Sequence, residues 1–322
     1  MNRIARLALA ALAALPLALQ LGAARAAPAP ACPPQAAPLS PEAVAAGMRD
    51  ARDHGFLWRL TKDGRVSFIY GTIHAARQAW MFPGPTVVEA MGSSDIVALE
   101  LDVLDPEIQR RLVAGIGARR SDALPPALAR RLERRRASEC VDAASWSTFS
   151  PEFQIASLTV LAARRDGLDP AYAIDLVLAR AARDLGKPVV SLESPEGQME
   201  ALQMPTQAQT VALVKDGLDD LDSGRARPLI RRIAKVWVDG NYAELARYEK
   251  WCDCARTPAE RAAMKRLLDD RNPALAARID ELHAGGQKVF AAVGSLHMIG
   301  RGGLPALLKQ RGYKVEQGDF ER

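Results

Sequence analysis

The chain has 322 residues, with 43 Lys and Arg against 38 Asp and Glu, and its formal net charge is +5. Three of the arginines lie in the first 26 residues, which contain no acidic residue, so the rest of the chain carries 40 basic and 38 acidic side chains, or about +2. Such a balance does not favour nucleic-acid binding, and the arginine clusters around Glu133 are typical of a solvated helix face. We therefore expect no nucleic-acid partner.

The amino terminus has the pattern of an export signal. A short basic segment that ends at Arg6 precedes an Ala/Leu-rich run over residues 7–21, and residues 24–26 (Ala-Arg-Ala) fit a small-x-small cleavage site. The apolar run is short and contains Pro16, so it does not suit a membrane span. The sequence predicts a signal peptide over residues 1–26, a periplasmic or secreted protein, and no stable membrane span after cleavage.

The part of the chain that follows the signal divides into a linker and a folded region. Residues 27–41 are rich in Pro and Ala, which indicates a flexible linker. Residues 42–322 are patterned with little interruption, and their number is sufficient to bury a large core. We expect one domain over 42–322 that includes a helical insertion.

Strands and helices alternate along this region. Runs of β-branched and apolar residues predict four buried strands, at residues 66–70, 95–101, 187–192 and 288–293. A capping residue followed by proline predicts four helix starts, at Ser150, Asp169, Thr257 and Asn272. The predicted fold class is α/β, helix-rich, with a small mixed sheet and an active site at the carboxyl ends of its strands.

Each predicted strand ends at a residue that can bind a metal or transfer a proton. The first strand runs into Gly71-Thr-Ile-His74 and the last into Gly294-Ser-Leu-His297, while the second and third lead to Glu100 and Glu193. Loops that follow the carboxyl ends of strands converge in an open α/β sheet, so these side chains are expected to meet. Glycine permits backbone conformations at the turn that other residues avoid, which would set each imidazole at a fixed offset from its strand.

The remaining histidines and the glutamates differ in what they indicate. His54 and His283 are interpreted as ordinary surface or helix residues. Glu100 lies in an apolar run, where an unpaired carboxylate is costly to bury, so it requires a cation, a metal or hydrogen bonds. Glu193 precedes Ser-Pro and is open to interpretation as a turn residue.

The four cysteines suit an oxidising compartment and allow two disulfides. Cys252 and Cys254 are separated by one residue and are expected to bond each other poorly, so that at least one of them pairs with Cys140 or Cys32. A thiolate metal site at Cys252 and Cys254 is the alternative.

Several motifs, taken together and in order, resemble the TraB/GumN family, which is related to the Tiki metalloproteases. The resemblance covers residues 45–322, and one departure is Ala173, where many relatives have glycine before Ile-Asp175. The matching stretches are residues 56–64, 70–74, 97–102, 167–170, 186–193, 270–272 and 293–304.

The resemblance implies an α/β fold shared with erythromycin-esterase-like and haem-binding ChaN-like proteins, and divalent-metal-dependent cleavage of peptide bonds. His74, His297 and Glu100 fall on positions that would bind the metal, which we expect to be Mn, Co or Zn. A metal bound by two imidazoles and one carboxylate keeps open positions for water and a scissile carbonyl. Glu193, or Glu100 if it is not a ligand, would be the general base, and Arg271, beside Asn272, would orient the substrate.

This interpretation predicts an exported metallohydrolase with a peptide or protein substrate. The alternative is a non-catalytic periplasmic binding or regulatory protein for a peptide, haem or glycan, since a fold does not fix a function. A metal-free esterase with a histidine base is a third possibility. The sequence does not indicate an oligomeric state.

Overall fold

The computed structural model describes residues 32–118, 124–254 and 258–318. The predicted signal peptide, residues 27–31 of the predicted linker and Thr257 lie outside the described residues.

A mixed sheet forms the centre of the described chain. The six strands of the described residues are β1 (Phe56–Lys62), β2 (Arg65–Thr72), β3 (Ile96–Leu99), β4 (Val189–Ser191), β5 (Val289–Gly294) and β6 (Lys314–Gln317). Their order in the sheet is β4-β3-β5-β2-β1-β6, in which β4, β3, β5 and β2 are parallel and β1 is antiparallel to both β2 and β6. The predicted small mixed sheet is confirmed, and the four predicted strands correspond to β2, β3, β4 and β5.

Two strands, β1 and β6, were not predicted. β1 pairs with β2 through a two-residue turn, Asp63-Gly64, whose φ values are 51° and 72°. Positive φ at both central residues defines the turn that joins strands most readily, and Asp-Gly is one of its preferred sequences. The Asp63-Gly64 pair was thus the available signal for β1, whereas the short β6 has a mostly exposed pattern and lacks such a signal.

The helices pack around the sheet and account for most of the remaining described chain. Among the described residues the α-helices are α1 (Pro41–Arg49), α2 (Pro85–Gly92), α3 (Pro106–Ala118), α4 (Pro126–Ser138), α5 (Ala143–Trp146), α6 (Pro151–Leu161), α7 (Ile174–Asp184), α8 (Pro195–Leu202), α9 (Gln207–Asp222), α10 (Ala226–Val238), α11 (Tyr242–Leu245), α12 (Tyr248–Trp251), α13 (Pro258–Leu267), α14 (Asn272–Ala284) and α15 (Leu304–Gln310). The fold is α/β and helix-rich, as the sequence predicted. No helix in the described ranges is both long and apolar enough to cross a membrane.

Two separate cores support this architecture. The larger surrounds the sheet, and β5 is at its centre because the side chains of Val289–Val293 are all buried. The smaller contains Trp146, Leu158 and Leu218 and is formed by α4, α5, α6, α9 and the start of α10, away from the sheet. The apolar faces of these helices therefore stabilise a helical layer of their own.

The four predicted helix starts have different outcomes. Ser150 caps α6, and α13 begins at Pro258. Asp169 caps a short 3₁₀ turn, Pro170–Tyr172, instead of an α-helix. The prediction that Asn272 caps a helix is wrong: α14 includes Asn272, and Arg271 occupies the cap position. The side-chain amide of Asn272 instead contacts His297 and Gly302, which are distant in sequence. A capping rule based on local sequence does not take such partners into account.

The cysteines form two disulfides, Cys32–Cys140 and Cys252–Cys254. The expectation that Cys252 and Cys254 avoid each other is wrong. The intervening Asp253 has a φ of 59°, and the resulting turn places the two Cα atoms 5.1 Å apart, within the range of a disulfide. Both thiols are therefore engaged, which does not fit the alternative of a thiolate metal site.

Candidate functional site

The carboxyl ends of the four parallel strands bring the predicted residues to one edge of the sheet. Glu100 directly follows β3, His74 and Glu193 come two residues after β2 and β4, and His297 lies in a 3₁₀ turn, Ser295–Met298, after β5. Because these strands are neighbours, residues far apart in sequence come into contact here.

His74 is held by a carboxylate and faces solvent. Its Nδ1 lies 3.1 Å and 3.2 Å from the two carboxylate oxygens of Asp175, at the start of α7. The side chain of His74 is 61% exposed. The charge of Asp175, together with its hydrogen bond, raises the pKa of His74 to about 9. Asp175 therefore fixes the ring through Nδ1, and the raised pKa keeps a proton on Nε2 at neutral pH.

His297 is buried and neutral. Its Nδ1 lies 2.6 Å from Oδ1 of Asn272, and the amide nitrogen of Asn272 donates to the carbonyl of Gly302 at 2.8 Å. Because that second bond fixes the amide orientation, Oδ1 is the acceptor and His297 carries its proton on Nδ1. Burial lowers the pKa of His297 to about 4. Its unprotonated Nε2 faces the guanidinium of Arg271 at 3.4 Å.

Glu100 is an ionised carboxylate within this buried edge. Burial raises the pKa of Glu100, but His297, His74, Arg271 and the Gly294 N–H outweigh that effect and lower it to about 2. The Gly294 N–H donates to Oε1 at 2.7 Å, and Arg271 donates to Oε2 at 2.6 Å. The partner that the sequence required for Glu100 is therefore Arg271 together with a backbone amide.

Arg271 connects the two glutamates. It donates from Nε to Glu193 at 2.9 Å and from Nη2 to the second Glu193 oxygen, and Gln198 lies 3.3 Å from Glu100 and 3.5 Å from Glu193. Burial raises the pKa of Glu193 above its ordinary value, and Arg271 only partly offsets this. Burial opposes the charge of Arg271, yet its bonds to Glu193 and Glu100 raise its pKa further, so it stays cationic.

Gly294 is the point at which the candidate groups converge. A Cβ atom at this position would lie 3.2 Å from Oε1 of Glu100, 3.6 Å from Nε2 of His74 and 3.7 Å from Cδ2 of His297. Neither Gly294 nor Gly71 has a positive φ, so the expected conformational reason for these glycines is wrong. They provide space: a Cβ on Gly71 would approach Oγ of Ser295 to 2.9 Å.

A cavity of about 320 Å³ opens at this edge of the sheet. Thr72, His74, Glu100, Asp175 and Arg271 line it, whereas Glu193 and His297 reach the site through Arg271. A larger cavity of about 1340 Å³, beside His54 and Tyr242, contains none of the predicted site residues. The smaller cavity is therefore the candidate site.

The other two histidines have structural roles. His54 contacts the Val238 carbonyl at 3.0 Å, and the fully buried His283 lies 2.8 Å from the Ser67 hydroxyl and 3.1 Å from the Lys62 carbonyl. Neither lines the candidate cavity.

Within the described parts of the chain, no group of three or more His, Cys, Asp or Glu side chains has the spacing of a metal cluster. Sequence reasoning also missed the contacts that hold the site together, from Gln198, the Gly294 amide and the Asn272 side chain. The position of Asn272 beside Arg271 was the sequence feature that could have indicated its role. Asp175 was also not assigned to the site, and it could have been inferred because a functional His74 needs a hydrogen-bond acceptor.

Comparisons with known proteins yield one match. A model of the TraB/PrgY/gumN family matches residues 56–317, most of the chain. Neither a curated protein nor a solved structure matches.

Proposed function

Because the chain belongs to the TraB/PrgY/gumN family, we propose that it is an exported, metal-dependent hydrolase that cleaves peptide bonds by means of an activated water. The observation that supports this proposal best is the convergence of His74, His297 and Glu100 on Gly294, with both histidines held through Nδ1. The two disulfides support export, since such bonds persist in oxidising compartments.

The residue types of the site suit a divalent ion, although the described side chains do not have the spacing of a metal cluster. Two imidazole nitrogens and one carboxylate are typical ligands of Zn, Mn or Co, and metal-binding histidines generally give their second nitrogen to an acceptor, as Asp175 and Asn272 provide here. His74, His297 and Glu100 would hold the ion, which would lower the pKa of a bound water and polarise the scissile carbonyl. Because Asp175 raises the pKa of His74, the affinity of the site for metal should increase with pH.

The roles proposed for Glu193 and Arg271 follow from their contacts within the protein itself. Glu193, whose raised pKa makes it a stronger base than an ordinary glutamate, is suited to accept a proton from the attacking water. Arg271 holds Glu193 by two bonds and keeps its carboxylate beside the cavity. The cationic guanidinium would also orient a substrate carbonyl or carboxylate.

A second candidate function is that of a non-catalytic binding or regulatory protein. The observation that favours it is the position of Arg271, whose single cation contacts Glu100, Glu193 and His297. The guanidinium of Arg271 thereby compensates the negative charges of the two buried carboxylates, Glu100 and Glu193, without a bound metal ion. Such a site would retain a peptide, haem or glycan without turnover.

The decisive experiment compares metal content and peptide cleavage in the signal-free protein. We expect about one equivalent of metal and cleavage of a mixed peptide library with added manganese, cobalt or zinc. Both should be lost in His74→Ala and His297→Ala and retained in His54→Gln, which changes a histidine outside the cavity.

Three outcomes oppose the proposal. Absence of metal and cleavage under every supplement would favour the binding protein, especially with stoichiometric retention of a ligand. Hydrolysis that resists a chelator would favour a metal-free esterase. Unchanged hydrolysis in His74→Ala would remove the role assigned to that imidazole.

A further inference from the structure

A third cavity of about 610 Å³, here called the helical groove, lies between helices of the smaller core and helices beside the candidate site. On one side are α6, α9 and α10, and on the other are α8, α13 and the Cys252–Cys254 disulfide. Its volume falls within the range of about 300–1,000 Å³ that is usual for ligand pockets. The groove can therefore accommodate a ligand group of appreciable size.

The lining of the helical groove is mainly apolar, with acidic side chains at its sides. Its apolar surface includes Ile155, Leu213, Leu229, Trp251 and Met264. Five acidic and two basic side chains also line it, namely Glu152, Asp216, Asp220, Asp253, Glu260, Arg225 and Arg232. The excess of acidic groups disfavours an anionic occupant.

Both basic residues of the groove have acidic partners. Arg225 pairs with Asp220 at 2.6 Å, and Arg232 pairs with Glu244 at 2.8 Å. A fatty acid or other anionic lipid would need a cation to bind its head group. The acidic partners already compensate the charges of Arg225 and Arg232, so both arginines attract an anion less strongly. A neutral or basic peptide is better matched to this charge.

The helical groove adjoins the candidate site. Leu202 and Leu267 line both cavities. Leu202 lies one helical turn after Gln198 on α8, and the carbonyl of Leu267 accepts a bond from Arg271 at 3.0 Å. An occupant of the groove would therefore lie next to the residues that hold Glu100 and Glu193.

We propose that the helical groove binds an apolar side chain of the peptide substrate, close to the scissile bond. This inference rests on the proposed function and specifies its substrate class: neutral or basic peptides with an aliphatic or aromatic residue near the cleavage point. Burial against Trp251, Met264 and Leu229 favours such a residue because its apolar surface leaves water. Discrimination by a hydrophobic pocket amounts to about tenfold or more in kcat/KM.

The test uses two capped synthetic peptides that are identical except for one central residue, Leu in one and Ser in the other. With wild-type protein we expect kcat/KM to be higher for the Leu peptide by about tenfold or more. Ala156→Trp places a large ring in the groove from α6 and should reduce that preference by about tenfold, with little effect on the Ser peptide. Ala212→Trp, at an exposed position of α9 outside the groove lining, should leave the preference unchanged.

A binding measurement separates the failure of this inference from the failure of the proposed function. The same peptides are titrated by calorimetry into Glu193→Gln, with and without Ala156→Trp. If the wild-type protein cleaves neither peptide, but Glu193→Gln binds the Leu peptide more tightly than the Ser peptide and loses this preference with Ala156→Trp, the groove assignment stands and the hydrolase proposal fails.

Equal binding of the two peptides, or a preference that persists in Ala156→Trp, would overturn the groove assignment. So would tight binding of decanoate that Ala156→Trp abolishes while the peptides do not bind, because the occupant would then be an acyl chain.

Discussion

At the scale of single residues, charge compensation explains the candidate site. An ionised carboxylate is costly to bury, and His297, His74 and the Arg271 cation, together with the Gly294 amide, offset this cost for Glu100 and lower its pKa to about 2. Glu193 shares the same cation, but burial raises its pKa. Two carboxylates in one site thus have different proton affinities, a division that is characteristic of acid–base catalysis.

The raised pKa of Glu193 predicts a pH-dependent activity. A general base works only when deprotonated, so kcat/KM should fall as the pH decreases through a pKa above the ordinary value of about 4.3. Glu193→Gln should lower kcat by about 10²–10⁴-fold and remove this acidic limb. A pH–rate profile measures both effects.

Glu196→Gln is the matched control because Glu196 lies three residues away on α8 and pairs with Arg111 at the surface. It should leave the profile unchanged. With metal at saturation, so that protonation of His74 does not limit metal binding, an acidic limb that persists in Glu193→Gln would assign the base to another group.

Substitution of Thr72, the last residue of β2, should increase the stability of the protein. Its hydroxyl is buried, and its Oγ1 has no hydrogen-bond partner among the described residues. An unpaired buried hydroxyl has lost its bonds to water, so Thr72→Val should raise the free energy of unfolding by about 1 kcal/mol. Denaturant unfolding measures this change.

Thr210→Val provides a control of opposite sign. Thr210 is similarly buried, but its hydroxyl donates to Glu152 at 2.6 Å, so the substitution leaves a buried carboxylate without this partner and should lower stability by about 1–3 kcal/mol. A loss of stability in Thr72→Val would show that the Thr72 hydroxyl is satisfied in the native protein.

At the scale of elements, the site depends on how strands and helices end. Four parallel strands place His74, Glu100, Glu193 and His297 at one edge, as the sequence predicted from their positions after the strands. The contribution of α14 was not predicted. Its first turn carries Asn272 inward, where the amide holds both His297 and the loop at Gly302.

Asn272→Ala should therefore cost more stability than the loss of a helix cap. It leaves the buried Nδ1 of His297 and the carbonyl of Gly302 without their partner, at about 1–3 kcal/mol for each unsatisfied group. Under the proposed function it should also weaken metal binding by about 10–100-fold, since partners of this kind orient metal-binding histidines.

Asn241→Ala is the comparison, because Asn241 caps α11 through a bond from the Glu244 amide. Its expected cost is about 1 kcal/mol, without an effect on metal affinity. Equal losses in the two variants would contradict the tertiary role assigned to Asn272.

At the scale of the whole molecule, the two disulfides constrain the chain very differently. Cys32–Cys140 spans 108 residues and attaches the start of the described chain to the end of α4, whereas Cys252–Cys254 spans two residues and fixes a local turn. A crosslink restricts the unfolded chain more when it closes a longer loop.

Removal of the two crosslinks should show this difference. Replacement of Cys32 and Cys140 by Ser should lower the free energy of unfolding by about 4–5 kcal/mol, compared with about 1–2 kcal/mol for Ser at Cys252 and Cys254. Denaturant unfolding of both double variants beside the wild type gives the comparison. A larger loss from the local disulfide would contradict loop closure as the main effect.

The sequence by itself determined the fold class, four of the six strands in the described residues and the family, and it identified the residues at the strand ends. These features follow from local patterns: apolar runs specify buried strands, and topology places the ends of parallel strands together. Tertiary structure decided the partners. Arg271 joins Glu100 to Glu193, Asn272 leaves the cap position to bind His297, and Cys252 pairs with Cys254. Each of these depends on distances across the folded chain, or on a backbone angle such as that of Asp253, which local residue preferences do not specify.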